Sequence, residues 1–315
     1  MSLLITSFTF ISGLIILIAG AELFIGYAAK LGAKLGVSEL LIGITLIALG
    51  TSIPEIFVSI SSIINNAPSI ALGNSIGSNI SNIGIIYGLS LFWLSTTLIS
   101  INLRNIFILV LSVLICGWSL YDLNISIQDS VLFIALFILF VLNLLRQPQE
   151  TNNKNHEQTG SIVKTTFLIL ISLGLLGVGS ELTVRGGIDL ATFIGVPETI
   201  IGLTMVAIGT SLPELAASIS ALRRNKGNMV VGNIVGSNIL NIVLIFPIIG
   251  FGSNSIYERE IFSRDFLIMS IFTGIFILLL VIGRQESNLK RIAYPIIGVS
   301  MFGLMVFYLS LLFSF

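Results

Sequence analysis

Two glutamates, Glu55 and Glu214, stand in stretches apolar enough to lie inside a membrane. A carboxylate at the bilayer centre costs about 2.5–3.5 kcal/mol even on a lenient insertion scale, so by default it marks a working site. The surroundings of the two are one segment written twice. Residues 41–84 read LIGITLIALGTSIPEIFVSISSIINNAPSIALGNSIGSNISNIG, and residues 200–243 read IIGLTMVAIGTSLPELAASISALRRNKGNMVVGNIVGSNILNIV. They lie 159 residues apart and align without a gap, with 21 of 44 positions identical.

In the first copy Ala48, Thr51, Glu55 and Ser59 fall at i, i+3, i+7 and i+11, one stripe of a helix. Ser78 and Asn82 share a face four residues apart. The second copy supplies Ala207, Thr210, Glu214, Ser218, Ser237 and Asn241. Pro54 has no N–H and clashes with the carbonyl four residues earlier. That frees backbone carbonyls near Ala48 to Thr51 to turn toward a ligand, and broken backbone at membrane depth is tolerated where it lines a cavity. Carboxylates, hydroxyls, amide oxygens and carbonyls suit a hard cation such as Ca2+, which takes about six to eight oxygens. No sulfur or imidazole is present to favour a transition metal. No Lys or Arg lies in the middle of these stretches, so the neutralising cation must come from outside.

The elements that carry these residues are membrane spans. The chain is 55% hydrophobic and 10% charged, with mean hydropathy +1.06, where a soluble domain carries about 25% charged residues. Apolar runs of the length that crosses a bilayer lie near residues 8–28, 38–64, 70–95, 104–121 and 127–145, and again near 164–184, 197–222, 229–251, 265–283 and 292–313. The first run is too long for a signal peptide and lacks a basic leader, so it reads as the first span. The expectation is an all-α membrane protein of ten transmembrane helices. Residues 1–145 form a first five-helix repeat, 146–161 a polar linker, and 162–315 a second five-helix repeat.

Five spans per copy is an odd number, so the second copy must enter the membrane from the opposite side. The two repeats are then inverted, related by an axis in the membrane plane, with the site at their interface near the midplane. The offset also holds outside the long match: Gly20-Ala21-Glu22-Leu23 answers Gly179-Ser180-Glu181-Leu182. Of 15 Lys and Arg, 12 lie in the loops after spans one, three, five, seven and nine, leaving only Arg185, Arg259 and Arg264 on the other side. The positive-inside rule puts the larger group, and the central linker, in the cytoplasm and both termini outside.

Several function classes are excluded or weakened. Net charge is zero, so no basic field attracts nucleic acid. Cys116 is alone, which excludes a disulfide or thiolate site within one chain. His156, the single histidine, sits in the linker, away from any proton relay in the spans. No nucleophile–base pair or phosphate loop suggests an enzyme, and nothing calls for a cofactor or an obligate protein partner. The lipid bilayer is the expected surrounding. Gly73-x-x-x-Gly77 and Gly232-x-x-x-Gly236 read as helix-contact motifs. Glu22 and Glu181 either line an access route or lie near span ends, and Glu39 and Glu198 read as interfacial.

Gly50-Thr51-Ser52-Ile53-Pro54-Glu55 with Gly73-Asn74 and Gly77-Ser78-Asn79, and Gly209-Thr210-Ser211-Leu212-Pro213-Glu214 with Gly232-Asn233 and Gly236-Ser237-Asn238, resemble the two alpha-repeats of the sodium/calcium exchanger family. The resemblance covers the whole layout. It implies antiport of Na+ against Ca2+ by alternating access, with the first and sixth spans sliding across a rigid core. The ligands it implies are the carbonyls of Ala48 and Ala207, with Thr51, Ser52, Thr210, Ser211, Ser78, Ser237, Glu55, Glu214 and Asn82. Asn241 departs from the family, where many members carry aspartate. With both asparagines neutral the fixed charge is −2, which one Ca2+ or two Na+ balance, whereas the resemblance implies three Na+. A 146–161 linker without the large loop of animal exchangers fits a bacterial or archaeal type. A K+-dependent exchanger, a Ca2+/H+ antiporter working by protonation of Glu55 and Glu214, and a membrane assembly protein with a structural acidic pair stay open.

The charge asymmetry yields the first prediction. Cysteines placed at 150–160 should react with an impermeant reagent only from the cytoplasm, and cysteines at Ser2 and Ser314 only from outside. The opposite pattern would reverse the orientation.

Overall fold

The computed structural model describes residues 3–95, 99, 102–146, 161–193, 209–253, 255–283 and 288–312. Apolar segments in lipid must satisfy their own backbone groups, which a helix does within one segment. Among the described residues regular structure is helical, apart from one isolated bridge between Asn124 and Ile256.

Helix α1 spans Leu3–Leu35. Ser38 then caps α2, its Oγ accepting from the Leu41 N–H at 3.2 Å. Helix α2 runs Glu39–Thr51 with a π-turn over Gly43–Ile47, and it bends by 40° into α3, Ile53–Ile64. Then come α4 (Pro68–Ser81), a π-turn over Asn82–Tyr87, and α5 (Gly88–Leu94). Helices α6 (Leu103–Leu120) and α7 (Ile127–Leu145) follow, α7 opening on a capping box between Ser126 and Asp129. The second part holds α8 (Ile162–Phe193), α9 (Leu212–Arg223), α10 (Gly227–Val243) and α11 (Ile245–Gly252). A π-turn over Ile261–Phe266 leads into α12 (Leu267–Ile282), and α13 is Asn288–Leu312.

Seven helices among the described residues are long and apolar enough to cross a membrane, or up to eight if the bent α2–α3 pair is one span. Two of the ten expected spans fall outside that number. The stretch expected at 70–95 is helical from Pro68 to Leu94 in three successive segments. The one expected at 197–222 is described from residue 209 onward, and the 146–161 linker lies almost wholly outside the described residues.

The two sequence copies fold alike at their turns. Helices α3 and α9 both end on a left-handed asparagine, Asn66 (φ 55°) and Asn225 (φ 56°). In each, the next N–H reaches back to close the helix: Ala67 to the Ser62 carbonyl at 2.8 Å, Lys226 to the Ala221 carbonyl at 2.9 Å. Asparagine accepts this backbone region better than other residues with a Cβ.

Glycine decides which helices touch. Helix α10 is the centre of the molecule: every residue but Asn228 is buried, whereas α1 buries only 9 of its 33. A Cβ on Gly232 would lie 2.3 Å from the Leu40 carbonyl oxygen, one on Gly236 2.4 Å from that of Ile44, and one on Gly43 2.4 Å from that of Met229. Gly232 and Gly236 are thus the helix contacts that their spacing suggests, bringing α10 backbone to backbone with α2. Gly73, the counterpart of Gly232, meets nothing within 4 Å among the described residues.

A second glycine seam joins α1 to α8. Cβ atoms on Gly13, Gly20, Gly179 and Gly186 would lie 2.5, 2.8, 2.3 and 2.6 Å from the backbone nitrogens of Thr183, Leu176, Leu17 and Phe10. The residue numbers fall on one helix as they rise on the other, so the pair is antiparallel. Outside the seam α1 shows large apolar side chains such as Leu4, Phe8 and Ile15 on its surface. Glu22 ties α1 to the end of α9, pairing with Arg223 at 3.2 Å and Arg224 at 2.9 Å, while Glu181 pairs with Arg185 one turn along its own helix. Glu39 holds Lys226 at 2.5 Å.

The seam sets a stability prediction. Gly179→Val pushes a branched side chain into the backbone of Leu17, which cannot yield as a side chain can. It should cost about 1–3 kcal/mol, the usual range for overpacking. Gly177→Val, where a Cβ meets nothing within 4 Å, should be nearly neutral. Thermal unfolding of the two variants in detergent compares them directly, and equal losses would show that the seam is not a special contact.

Candidate cation site

The local backbone comes first. Ser52 sits at φ −84°, ψ 4° and Ser211 at φ −85°, ψ 3°, each just before an apolar residue and a proline. A proline cannot donate to the carbonyl four residues earlier but is well accommodated in a first turn. The chain therefore breaks at the serine and restarts as α3 or α9. Glu55 and Glu214 land in the first turn of those helices. There the helix dipole and unpaired N–H groups favour a negative charge.

The break frees less backbone than the proline alone suggests. The Ala48 carbonyl accepts the Ser52 N–H at 3.0 Å, and the Ile47 carbonyl accepts the Thr51 hydroxyl at 3.0 Å. Ala48 keeps its second lone pair, and the carbonyl that Pro54 cannot serve is that of Gly50. Ala207 lies outside the described residues.

The side chains interlock across the two copies. Ser52 Oγ donates either to Glu214 Oε1 or to Ser237 Oγ, each 3.2 Å away. Thr51 Oγ1 reaches Asn233 Oδ1 at 3.4 Å, and its counterpart Thr210 Oγ1 reaches Asn74 Oδ1 at 3.2 Å. Ser78 Oγ is 3.4 Å from Thr210 Oγ1. Behind them, Asn74 Nδ2 donates to the Glu55 carbonyl at 3.1 Å and to Ser59 Oγ at 3.3 Å, and Asn233 Nδ2 donates to Ser218 Oγ at 3.3 Å. Deeper along the same helices Asn82 Nδ2 donates to Asn238 Oδ1 at 3.0 Å. Ser75 Oγ donates to the Asn241 carbonyl at 2.6 Å. The expected residues Ala48, Thr51, Ser52, Glu55, Ser78, Asn82, Ser211, Glu214, Ser237 and Asn241 are all buried, and Thr210 is nearly so.

Several of these buried atoms have no hydrogen-bond partner among the described residues: both oxygens of Glu55, Oε2 of Glu214, Oδ1 of Asn82, both amide atoms of Asn241 and Oγ of Ser211. Glu55 is fully buried and Glu214 is 1% exposed, and Ser52, three residues before Glu55, reaches Glu214 at 3.2 Å. Burying a polar atom unpaired costs free energy, and burying an unpaired charge costs more. Oxygens left over in this number, two of the residues being carboxylates, form a donor set of the kind a hard cation takes. Among the described residues no group of three His, Cys, Asp or Glu that could hold a metal occurs, so most of that donor set is neutral oxygen.

Two features escaped the sequence. Asn74 and Asn233 bridge the copies, yet spacing alone assigned them no role, although both are polar, identical in the two copies and surrounded by small and apolar residues. The π-turns at Gly43–Ile47 and Asn82–Tyr87 left no sequence signal. The second begins at Asn82 itself, and such turns are frequent at functional sites.

Comparison with known proteins agrees with this geometry. The family model described as sodium/calcium exchanger protein matches residues 5–146 and 164–314. The sodium/calcium exchanger MaX1 of Methanosarcina acetivorans is 32% identical over 306 residues, covering 82% of this chain and 87% of its own length. The inner membrane protein YrbG of Escherichia coli is 34% identical over 289 residues, covering 88% and 89%. A structure of the sodium-calcium exchanger NCX_Mj soaked with 10 mM Na+ and 10 mM Sr2+ superposes with a TM-score of 0.82 at 32% identity, covering 97% of this chain and 98% of that one.

The two serines at the breaks are counterparts in sequence but not in contact. Ser52 lies within donating distance of a carboxylate, whereas the Ser211 hydroxyl has no partner among the described residues. A hydrogen bond to a charged group is worth about 1.5–3 kcal/mol. Ser52→Ala should therefore weaken Ca2+ binding about tenfold or more, and Ser211→Ala by much less, in calcium titrations of the purified protein. Equal losses would show that the contact at Glu214 does not set the affinity.

Proposed function

Because the chain belongs to the sodium/calcium exchanger family, we propose that it exchanges Na+ for Ca2+ across the cell membrane by alternating access. The observation that carries this reading is the pair of buried carboxylates, Glu55 and Glu214, with three of their four oxygens lacking a hydrogen-bond partner among the described residues where the two sequence copies meet. The cation ligands are those two carboxylates, the carbonyls of Ala48 and Ala207, the hydroxyls of Thr51, Ser52, Ser78, Thr210, Ser211 and Ser237, and the amides of Asn82 and Asn241.

Exchange follows from charge. Two fixed carboxylates place −2 in a low-dielectric site. One Ca2+ or a set of Na+ ions neutralises it through the same oxygens, so the two cargoes exclude one another. Without cargo, two like charges would stand desolvated together, which is strongly unfavourable. The barrier is therefore crossed loaded, and the net result is antiport. Asn241 in place of a carboxylate keeps the fixed charge at −2.

The frame for this cycle is ten spans in two inverted five-span repeats, 1–145 and 162–315, joined by a cytoplasmic linker at 146–161 with both termini outside. The antiparallel course of α1 and α8 supports opposite insertion of the two repeats. Their low burial and shared glycine seam support their moving as one unit against the core around α10.

The test is flux. Na+-loaded proteoliposomes placed in Na+-free medium should take up Ca2+, and dissipating the Na+ gradient should stop the uptake. Glu55→Gln and Glu214→Gln keep the side-chain volume and remove half the charge. Each should abolish uptake while leaving the melting temperature near that of the parent. Near-normal flux in either variant would overturn the site, and uptake driven equally well by a proton gradient would replace Na+ with H+ as the counter-ion.

A further inference from the structure

We propose that Asn238 is a positioning residue for the cation site. Its amide oxygen holds the side-chain nitrogen of Asn82, so that the Asn82 oxygen is the atom left for the cation. This rests on the cation site proposed above.

An asparagine amide carries an acceptor oxygen on one side and a donor NH2 group on the other. Only the oxygen serves a cation, and the NH2 group would repel one. A site that uses a neutral amide as a ligand therefore needs that amide held one way round. Asn82 opens the π-turn over Asn82–Tyr87. Its Nδ2 donates to Asn238 Oδ1 on α10 at 3.0 Å, while its Oδ1 is buried with no hydrogen-bond partner among the described residues.

Asn238 is itself set by main chain. Its Nδ2 faces the carbonyl of Asn79, three residues before Asn82 on α4, at 3.5 Å. A carbonyl has no proton and can only accept. Turning the Asn238 amide would set its oxygen against that carbonyl oxygen, and turning Asn82 alone would set its oxygen against Asn238 Oδ1. The two amides therefore face one way together, in a direction fixed by a backbone group that no side-chain rotation reverses. Asn82 and Asn238 are each 1% exposed, so bulk water does not compete for either amide.

The matched pair is not made. The 159-residue offset makes Asn79 the counterpart of Asn238, and Asn241 that of Asn82. Asn79 Nδ2 donates within its own helix to the Ser75 carbonyl at 2.9 Å. Neither Asn79 Oδ1 nor either amide atom of Asn241 has a partner among the described residues. The sequence writes the asparagine pair twice, and the packing joins only one.

The test is Ca2+ affinity, titrated in the purified full-length protein. Asn238→Ala should weaken binding about fivefold, the worth of a neutral hydrogen bond. In an Asn82→Ala background it should cost almost nothing further, because the ligand it positions is gone. Asn79→Ala and Asn241→Ala, by contrast, should have effects that multiply. Asn238→Asp restores the acceptor and adds a charge. The charge acts with or without Asn82, the acceptor only with it. The gain from alanine to aspartate at position 238 should therefore be larger with Asn82 present than in the Asn82→Ala background. A packing role would not follow the acceptor. Losses that multiply with Asn82→Ala, equally strong coupling between Asn79 and Asn241, or equal gains from aspartate in both backgrounds would overturn the proposal. Where Asn238→Ala melts well below the parent, Asn238→Leu, which keeps the volume without the acceptor, takes its place. Glu55→Gln is measured alongside. If it binds Ca2+ normally, the site itself is wrong. If it fails to bind while the coupling to Asn82 is missing, only the Asn238 inference falls.

Discussion

Taking a carboxylate out of water is tolerable only where something positive or protic meets it. Glu55 and Glu214 are both out of water, and among the described residues Ser52 Oγ lies 3.2 Å from Glu214 Oε1 while their other three oxygens have no hydrogen-bond partner. No lysine or arginine shares their helices at that depth: the nearest in sequence, Arg223 and Arg224, lie at the far end of α9 and are engaged by Glu22. The protein thus buries negative charge without supplying its own counter-charge. The features around the pair lower the cost of that burial.

The proline breaks are the first of these features. Ending one helix at Ser52 or Ser211 and starting another puts each carboxylate in a first turn, where the backbone is electropositive. The glycines are the second. Without a hydrophobic driving force in lipid, helices associate by close packing and polar contacts. Gly43, Gly232 and Gly236 let α2 and α10 meet at backbone distance. That closeness brings short side chains, serines and threonines of one copy and asparagines of the other, within hydrogen-bonding reach of each other. A single methyl at Gly232 would separate them.

The same chemistry divides the molecule into regions of different firmness. Around α10 the packing is dense and the polar network is continuous. Helices α1 and α8 are bound chiefly to each other, along a seam of small residues, and expose most of their remaining surface. The Glu22 contacts with Arg223 and Arg224 are partly exposed ion pairs, which contribute little stability and can be remade at low cost.

Much of this was legible in the sequence because the membrane leaves few alternatives. Lipid forbids unpaired backbone and penalises charge, so apolar runs had to be helices, and two glutamates within them stood out as the candidate site. The duplication then named the other polar partners by position, and nearly all of them are buried around the pair. What the tertiary structure decided depends on approach between helices, which no periodicity encodes. It selected Gly232 and Gly236 as close contacts while leaving Gly73 without a neighbour among the described residues. It gave Ser52 a carboxylate partner and Ser211 none among the described residues, although both stand in a Gly-Thr-Ser-x-Pro-Glu context. It turned Asn74 and Asn233 toward threonines 136 and 182 residues away. A sequence states which groups can donate or accept, but the direction of each hydrogen bond is settled only when the packed backbones fix which oxygen lies nearest.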